Sequence, residues 1–516
     1  VNTPDILPVP GTQRPYLTLV ILAAGHGTRM RSRLPKMLHH VAGVPMLRRV
    51  ISAGMSAVPD GVVLVVSPGL AAHPAFRSAL PPGAAGLLQI VTQPEPLGTG
   101  HAVGIALADL PDGANSGDAA TLVLLGDHPL LTPAIVAGVV GTARESPALV
   151  TLLTCLVDDA GGYGRIDRDP DGRVRAIVER ADDDPAARTG RVEINSGMMV
   201  LATGWAREAL AATAPSPITG EIYLTGLVGR AVGGARPGAA WPVGTLVSPA
   251  DVAMGVNDRN QLGEVERVLH GRARTRHQLA GVSLVGVETI FIEDDVEIGQ
   301  DSTIMPHTVI GAGTRIGTGC VIGPGAVIRD SRIGDGCEVR GSTLTSVVLG
   351  DGVDVGPYAH LRPGTVVGDG AHVGTHAELK NATIETGASV GHFSYVGDAR
   401  VGARTNIGAG VVTANYDGER KHQTDIGADA FIGSDTILRA PVRIGDRART
   451  GAGSVVTKDV PDDALAVGVP ARVIRRNLPR PVTGGATADA VESAEPGTPG
   501  GTAAATGDEA ITGGET

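Results

Sequence analysis

Four side chains able to handle an anion or a proton fall close together in the second half of the chain. They are Arg362 in HLRPG, Lys380 in AELKN, His392 in VGHFSYVGD, and Lys421 in VVTANYDGERKHQTDIG (411–427). Three cations suit a phosphate, and an imidazole titrates near neutral pH, so it can serve as a general base toward an amine. A second group lies near the start. In LAAGHGTRM (22–30), Gly25 and Gly27 let backbone N–H groups approach phosphate oxygens, and Arg29 and Lys36 add positive charge. PLGTGHA (96–102) is another loop of small residues. LLGDHPLL (124–131) ends an apolar run on Asp127, where a carboxylate is well placed to hold Mg²⁺ beside phosphates. Each feature has a plainer alternative: a glycine turn with surface cations, a loop-capping carboxylate, a structural histidine, a solvated hairpin. The elements that carry these residues decide between the readings.

The first group sits in an alternation of strand-like and helix-like segments. YLTLVILAAG, GVVLVVS, LLQIVTQ and TLVLLGD read as buried strands that end in Gly or polar loops, and MLRRVISAGMSAV reads as a helix between them. Residues 16–258 are therefore expected to form an α/β domain around a mainly parallel sheet. Residues 259–281 read as a charged helix linking this domain to the next.

The second group sits in a repeat. Ile292, Ile298, Ile304, Ile310, Ile316, Ile322 and Ile328 recur every six residues. The series resumes after a phase change at Leu349, Val355, Leu361, Val367, Val373 and Leu379, and again at Ile426, Ile432, Leu438 and Ile444. Six residues are 600° of α-helix, which scatters them off any one face. One inward aliphatic per six fits a coil of short parallel strands with about 18 residues per turn, stacked about 4.8 Å apart. Residues 282–477 are assigned to it, in roughly ten coils. The beat fails between Ile407 and Ile426, so surplus residues must leave the coil as a loop. Such a loop can carry Asn415, Tyr416 and Lys421 toward a ligand.

Composition narrows the function classes. The chain of 516 residues is 42% hydrophobic but only 2% aromatic, with 74 glycines. That balance suits tight turns and small aliphatic layers. A net charge of −11 is a poor field for nucleic acid or an anionic membrane. Residues 481–516 hold acids and no Lys or Arg, and 478–516 are expected to be a disordered tail; the Pro-rich residues 1–15 are expected to be flexible. VNTPDILPVPGTQRPY lacks the apolar core of a signal peptide, and no run is long and apolar enough to span a membrane. Cys155, Cys320 and Cys337 show no metal spacing and read as reduced thiols, which points to the cytoplasm.

LAAGHGTRM with LPK, LGTGHA and GD resembles the sugar-1-phosphate nucleotidylyltransferases. GYGRI, IVE, EINSG, GEIYLTG and GVND continue the resemblance in order. With the repeat half, residues 17–475 resemble the bacterial-type bifunctional UDP-N-acetylglucosamine pyrophosphorylases/glucosamine-1-phosphate N-acetyltransferases. This implies a Rossmann-like nucleotidyltransferase domain followed by a left-handed parallel β-helix. It also implies a trimer with sites between subunits, a role in cell-wall precursor synthesis, and small-molecule partners only: glucosamine-1-phosphate, N-acetylglucosamine-1-phosphate, UTP and acetyl-CoA.

Carried over residue by residue, nucleotide contacts fall on Leu22, Ala23, Ala24, Gly25, Arg29, Lys36, Gln93, Gly98, Thr99, Gly126 and Asp127. Sugar contacts fall on Gly164, Glu179, Asn195 and Asn257, and Asp127 with Asn257 match the Mg²⁺ ligands. Arg29 and Lys36 would stabilise charge in the in-line attack of the sugar phosphate on UTP. In the repeat half, His392 matches the general base. Arg362, Lys380, Tyr395, Asn406, Asn415 and Lys421 match sugar-phosphate contacts, and Ala409, Tyr416, Ser434 and Ala452 match acetyl-CoA contacts. GVPARVIRR (468–476) resembles the cationic end of such acyltransferases; read by itself it is equally a polar cap. The chain departs from the pattern at His26, where many relatives carry Lys, and at Pro96 and Gly226, where they carry polar residues. The rival readings are a nucleotidylyltransferase with a non-catalytic coil and a purely structural repeat.

Overall fold

A computed structural model describes residues 14–478 except 112–113, 115–116, 180–189 and 218. The expectations for residues 1–13 and 479–516 lie outside the described residues.

In the first half, strands line up as Val243–Ser248, Val150–Val157, Val192–Ala202, Ala120–Leu125, Leu17–Ala23, Gly61–Val66 and Leu88–Thr92. All neighbours run parallel except Val192–Ala202, which is antiparallel to both strands beside it. Alternation explains why the central strand is apolar throughout. Leu17, Leu19, Ile21 and Ala23 face one core cluster, while Val20 and Leu22 face the other. One expectation is corrected. LLQIVTQ is an edge strand rather than a buried one, with Ile90 40% exposed, because among the described residues nothing pairs with its outer side. Leu17–Ala23 and Ala120–Leu125 are adjacent, yet the chain leaves the first toward Gly61–Val66 on its other side. Their carboxyl ends therefore flank a switch point, where a crevice opens.

The linking helix spans Arg259–Leu279. It starts where the Asp258 side chain accepts from the Gln261 N–H. Val265 and Leu269 pack on the α/β domain with Met30, Val41 and Met46, whereas Ala273 belongs to the coil's core. The helix is thus a packed junction. Buried His277 is pushed down to about 4 by burial and then by neighbouring Arg276, which keeps the ring neutral at neutral pH.

The second half is a left-handed β-helix whose short strands stack in parallel on three faces. One face runs from Ser283–Leu284 through His372–Val373 and Asn406–Ile407 to Leu465–Gly468. The second includes His360–Leu361, the start of Glu378–Ile384, the start of Tyr395–Val401, Val412–Ala414 and Ile437–Arg439. The third includes Val366–Val367, the ends of those two long strands, Thr424–Ile426 and Val442–Ile444. Every aliphatic of the six-residue series is buried.

The phase changes have a simple cause. Five-residue steps, such as Ile328 to Ile333, Leu344 to Leu349, Leu379 to Ile384 and Val396 to Val401, interrupt the six-residue ones. In these short corners the residue two after the inward aliphatic turns left-handed: Asp330, Ser346, Asn381 and Asp398 have φ of 47°, 51°, 46° and 48°. Asp, Asn and Ser are the small polar residues that tolerate that conformation best. The beat also survives into 411–427. Thr413 takes the inward seat, 1% exposed, and its hydroxyl accepts from the Gly397 N–H (2.8 Å) and donates to the Gly397 carbonyl (3.0 Å). The sequence pattern missed it because it counted only aliphatics. The last coil is closed by Ala471–Arg475, which pairs antiparallel to Leu465–Gly468 and so blocks further parallel stacking.

Candidate functional site

At the switch point, a cleft of about 410 Å³ is lined by Leu22, Ala24, Gly25, Lys36, Gln93, Gly98, Thr99, Asp127 and Asn257. These nine come from four stretches far apart in sequence. Gly25 follows Leu17–Ala23, and Asp127 follows Ala120–Leu125, so both stand at carboxyl ends of adjacent strands. Gly27 turns left-handed at φ 62°, and a Cβ there would lie 2.6 Å from the Lys36 Cβ, so glycine lets the loop close over the lysine. Gly98 is similar: a Cβ would meet the Ile222 carbonyl at 2.5 Å. That close approach lets Gly100 N–H reach the Ile222 carbonyl and Leu224 N–H reach the Thr99 hydroxyl.

Lys36 is the buried centre of the cleft. Its ammonium donates to Asp127 Oδ2 at 2.6 Å and faces Asn257 Oδ1 at 3.4 Å. The other Asp127 oxygen is held by His128 Nδ1 at 2.8 Å. Burial pushes the Asp127 carboxyl up, but His128 and then Lys36 outweigh it, and the group lies well below the usual carboxylate range. It is therefore a fixed anion at neutral pH. The Gln93 amide donates to the Gly98 carbonyl and meets His101 Nδ1 at 3.0 Å, which fixes the loop that carries Thr99.

The remaining residues of the first group lie around this cleft. Gly126 bonds back to the Leu22 carbonyl, and Ala23 is turned into the core. Gly164 accepts from the Asn195 N–H, in the strand whose register shifts between Asn195 and Met199. Glu179 accepts from Thr225, on the segment that also supplies Glu221 and Tyr223 to the cleft. Arg29 is exposed on the short helical turn Thr28–Met30. Of the departures, Pro96 lines the cleft, His26 is exposed in the glycine loop, and Gly226 opens the helix Gly226–Gly233. Sequence reasoning missed His128, Glu221 and Tyr223. Each lay inside a motif already singled out, but only packing shows that their side chains face inward.

On the coil, regular stacking turns sequence spacing into columns. His392, Ala409, Ser434 and Ala452 each come two residues after an inward residue (Val390, Ile407, Ile432, Thr450) on the same corner. They form one line, a rung apart. The glycines before them have no room for a side chain. A Cβ on Gly408 would lie 2.7 Å from Ser434 N, and one on Gly433 would lie 2.7 Å from Ala452 N. The His392 ring is exposed and makes no side-chain hydrogen bond or ion pair among the described residues.

Arg362, Lys380, Gly397 and Ala414 form a second column, on the outer side of the adjoining face. Gly397 stands opposite Lys380, and the Tyr395 hydroxyl fills the space where a Cβ would be, which brings Tyr395 beside the lysine. Lys421 arrives from the loop. Its ammonium pushes Lys380 down from the usual lysine range, while Asp398 opposes that shift. Arg362 is paired with Glu378 at 2.7 Å. The loop is a hairpin in which Tyr416 bridges Lys421, and Asp417 binds His422 at 2.6 Å. The Arg420 N–H above all, then His422, holds the Asp417 carboxyl far below its usual range. Asn415 is buried, its amide on Asp398; Tyr416 is exposed. Asn406 does not join this group within one chain. It lies on a different face, beside Ser389 and Phe431.

Residues 19–165 match the family model of the MobA-like NTP transferase domain. Residues 295–330 and 424–458 match that of the bacterial transferase hexapeptide (six repeats), and residues 324–407 match that of the GlmU-like, C-terminal hexapeptide. Among curated relatives, the bifunctional protein GlmU of Heliobacterium modesticaldum is 43% identical over 450 residues, covering 87% of this chain and 95% of that protein. Its counterpart in Trichlorobacter lovleyi is 41% identical over 449 residues, with the same coverage. That of Mycobacterium tuberculosis (strain ATCC 25177 / H37Ra) is 40% identical over 477 residues, covering 92% of this chain and 95% of its own.

Proposed function

This chain belongs to the family of bifunctional GlmU proteins, and on that premise we propose how its two halves divide the synthesis of UDP-N-acetylglucosamine. The coil half transfers the acetyl group of acetyl-CoA to the amine of glucosamine-1-phosphate. The α/β half then transfers uridylyl from UTP to the N-acetylated sugar phosphate and releases pyrophosphate.

In the α/β half the attacking sugar phosphate is already ionised at neutral pH, so no general base is needed and positioning does most of the work. Gly25, Gly98 and Thr99 present small residues and N–H groups to the nucleotide, and Gly164, Glu179, Asn195 and Asn257 contact the sugar. Lys36 and Arg29 offset charge on the α-phosphate and the departing pyrophosphate. Asp127 and Asn257 would hold Mg²⁺. Their fit is supported by the Lys36 ammonium, a cation to which both side-chain oxygens already turn. When bound, Mg²⁺ supplies charge neutralisation at the triphosphate.

In the coil half His392 takes the proton from the 2-amino group as that nitrogen attacks the thioester carbonyl. Its exposed ring is free to do so because, among the described residues, no hydrogen bond or ion pair holds either nitrogen. Arg362, Lys380, Tyr395 and Lys421 hold the sugar phosphate, with Asn415 at their edge. Acetyl-CoA lies along Ala409, Ser434 and Ala452, with Tyr416 of the loop beside it. The observation that carries this half is that line of three small residues running from His392 along one corner. Asn406 adds to the sugar-phosphate group from another copy, since its own face points elsewhere. A homotrimer with sites between subunits meets that need. A cytoplasmic location accords with these soluble substrates, and among the described residues no helix is long and apolar enough to cross a membrane.

The test is product analysis. The full chain given glucosamine-1-phosphate, acetyl-CoA, UTP and Mg²⁺ should yield free CoA, pyrophosphate and UDP-N-acetylglucosamine, identified by mass. Turnover of N-acetylglucosamine-1-phosphate without any acetylation of glucosamine-1-phosphate would leave the coil as scaffold.

A further inference from the structure

Asn381, Asp398 and Asn415 each stand two residues beyond an inward side chain (Leu379, Val396, Thr413), so they stack on successive coils. The middle one is the acid. One Asp398 oxygen accepts from the Asn381 amide at 2.8 Å, and the other accepts from the Asn415 amide. Both oxygens are thus tied in opposite directions, and the left-handed backbone at φ 48° holds the carboxylate at the corner. Lys380 stands opposite Gly397, next to Asp398 in register, and Lys421 comes from the loop; both ammonium groups act on Asp398 through space and lie close enough to repel one another. Asp398 thus feels both ammonium groups through space while its carboxylate is bonded to the root of the loop.

We propose that Asp398 is a positioning residue for acetyl transfer: it pins the 415–423 loop through Asn415 and holds Lys380 and Lys421 side by side as a ready-made phosphate cradle. This rests on the reading that those lysines bind the sugar phosphate. Two effects of Asp398 on that phosphate oppose each other. As a negative charge near the phosphate it weakens binding through space. As the anchor of loop and lysines it strengthens binding through geometry. The inference is that geometry dominates, because two like charges left without a neighbouring carboxylate and without the loop anchor swing apart into solvent.

The Asp398→Asn variant keeps the size and removes the charge, so the sign of its effect separates the two. The expected result is a KM for glucosamine-1-phosphate raised about tenfold, with KM for acetyl-CoA within about twofold of the parent. Turnover of free glucosamine, which lacks the phosphate, should change little. Trypsin should cut after Arg420 or Lys421 faster in the variant, and glucosamine-1-phosphate should protect the parent better. An unchanged or lowered KM for glucosamine-1-phosphate overturns the inference, as does unaltered loop cleavage. Lys380→Ala serves as the separate check on the underlying reading. If it leaves that KM unchanged, the cradle itself is wrong. If it raises the KM while Asp398→Asn does not, only the role of Asp398 falls. Should Asp398→Asn misfold, Asn415→Ala breaks the same anchor from the loop side and is expected to raise KM and loop cleavage in the same direction.

Discussion

The two halves solve the same problem, holding a phosphorylated sugar next to a reacting group, in opposite ways. The α/β half gathers residues from distant stretches into a cleft and buries the central pair, with Lys36 7% exposed and locked to Asp127 and Asn257. Its charges are paired before any substrate arrives. The coil half lays its residues on an open surface in columns a rung apart, with His392 exposed and Asn406 on another face. Its geometry comes from backbone register rather than enclosure, and within one copy Asn406 is set apart from Lys380. A folded sheet with loops can close around a ligand; a stacked coil offers an edge, which under the proposed reading a loop and a second copy complete.

If that contrast is right, the halves should fail separately. Asp127→Ala should cut uridylyl transfer on the order of 1,000-fold and leave acetyl transfer near the parent rate, because the cleft loses its fixed anion. His392→Ala should do the converse, with acetyl transfer down about 100- to 10,000-fold. Both are read by assaying each half-reaction in each variant; a crossed loss would mean that the two sites are one machine.

A smaller effect sharpens the contrast between enclosure and edge. On dilution toward the monomer, followed by light scattering, acetyl transfer per chain should fall several-fold while uridylyl transfer per chain holds constant. Constant acetyl transfer by a monomer would make the coil site complete in itself.

The smallest effect concerns the coil's own register. Thr413→Val is nearly isosteric but leaves the Gly397 N–H buried without its acceptor, so it should cost about 1–3 kcal/mol in chemical denaturation of the coil. A neutral result would mean that the hydroxyl plays no part in keeping the beat through the loop insertion.

Much of this was legible in the chain. Isoleucines six apart cannot be explained by a helix or by simple alternation, so the coil followed from periodicity alone. The parallel sheet followed from apolar runs that end in glycine loops. What escaped was local context. LLQIVTQ looks as apolar as its neighbours, yet it is an edge, because strand order is not written in any one strand. Thr413 hides among polar residues, though it occupies a core seat. His128 sits beside Asp127 in plain view, but its grip on that carboxylate depends on where the ring packs.

The sequence by itself determined which chemistries were available and how often the chain must turn inward, since burial of aliphatics depends on residue type and spacing. Only the tertiary structure decided which polar groups meet. Lys36 and Asn257 are separated by most of the first domain and become neighbours because the Val256 N–H bonds to the Asp127 carbonyl, at the end of the strand beside the one that leads to Lys36. Asn406 and Lys380 are close in sequence and are kept apart because a three-faced coil sends them to different sides. Hydrophobic burial is a property of each residue's pattern; the meeting of charges is a property of how strands are ordered in space.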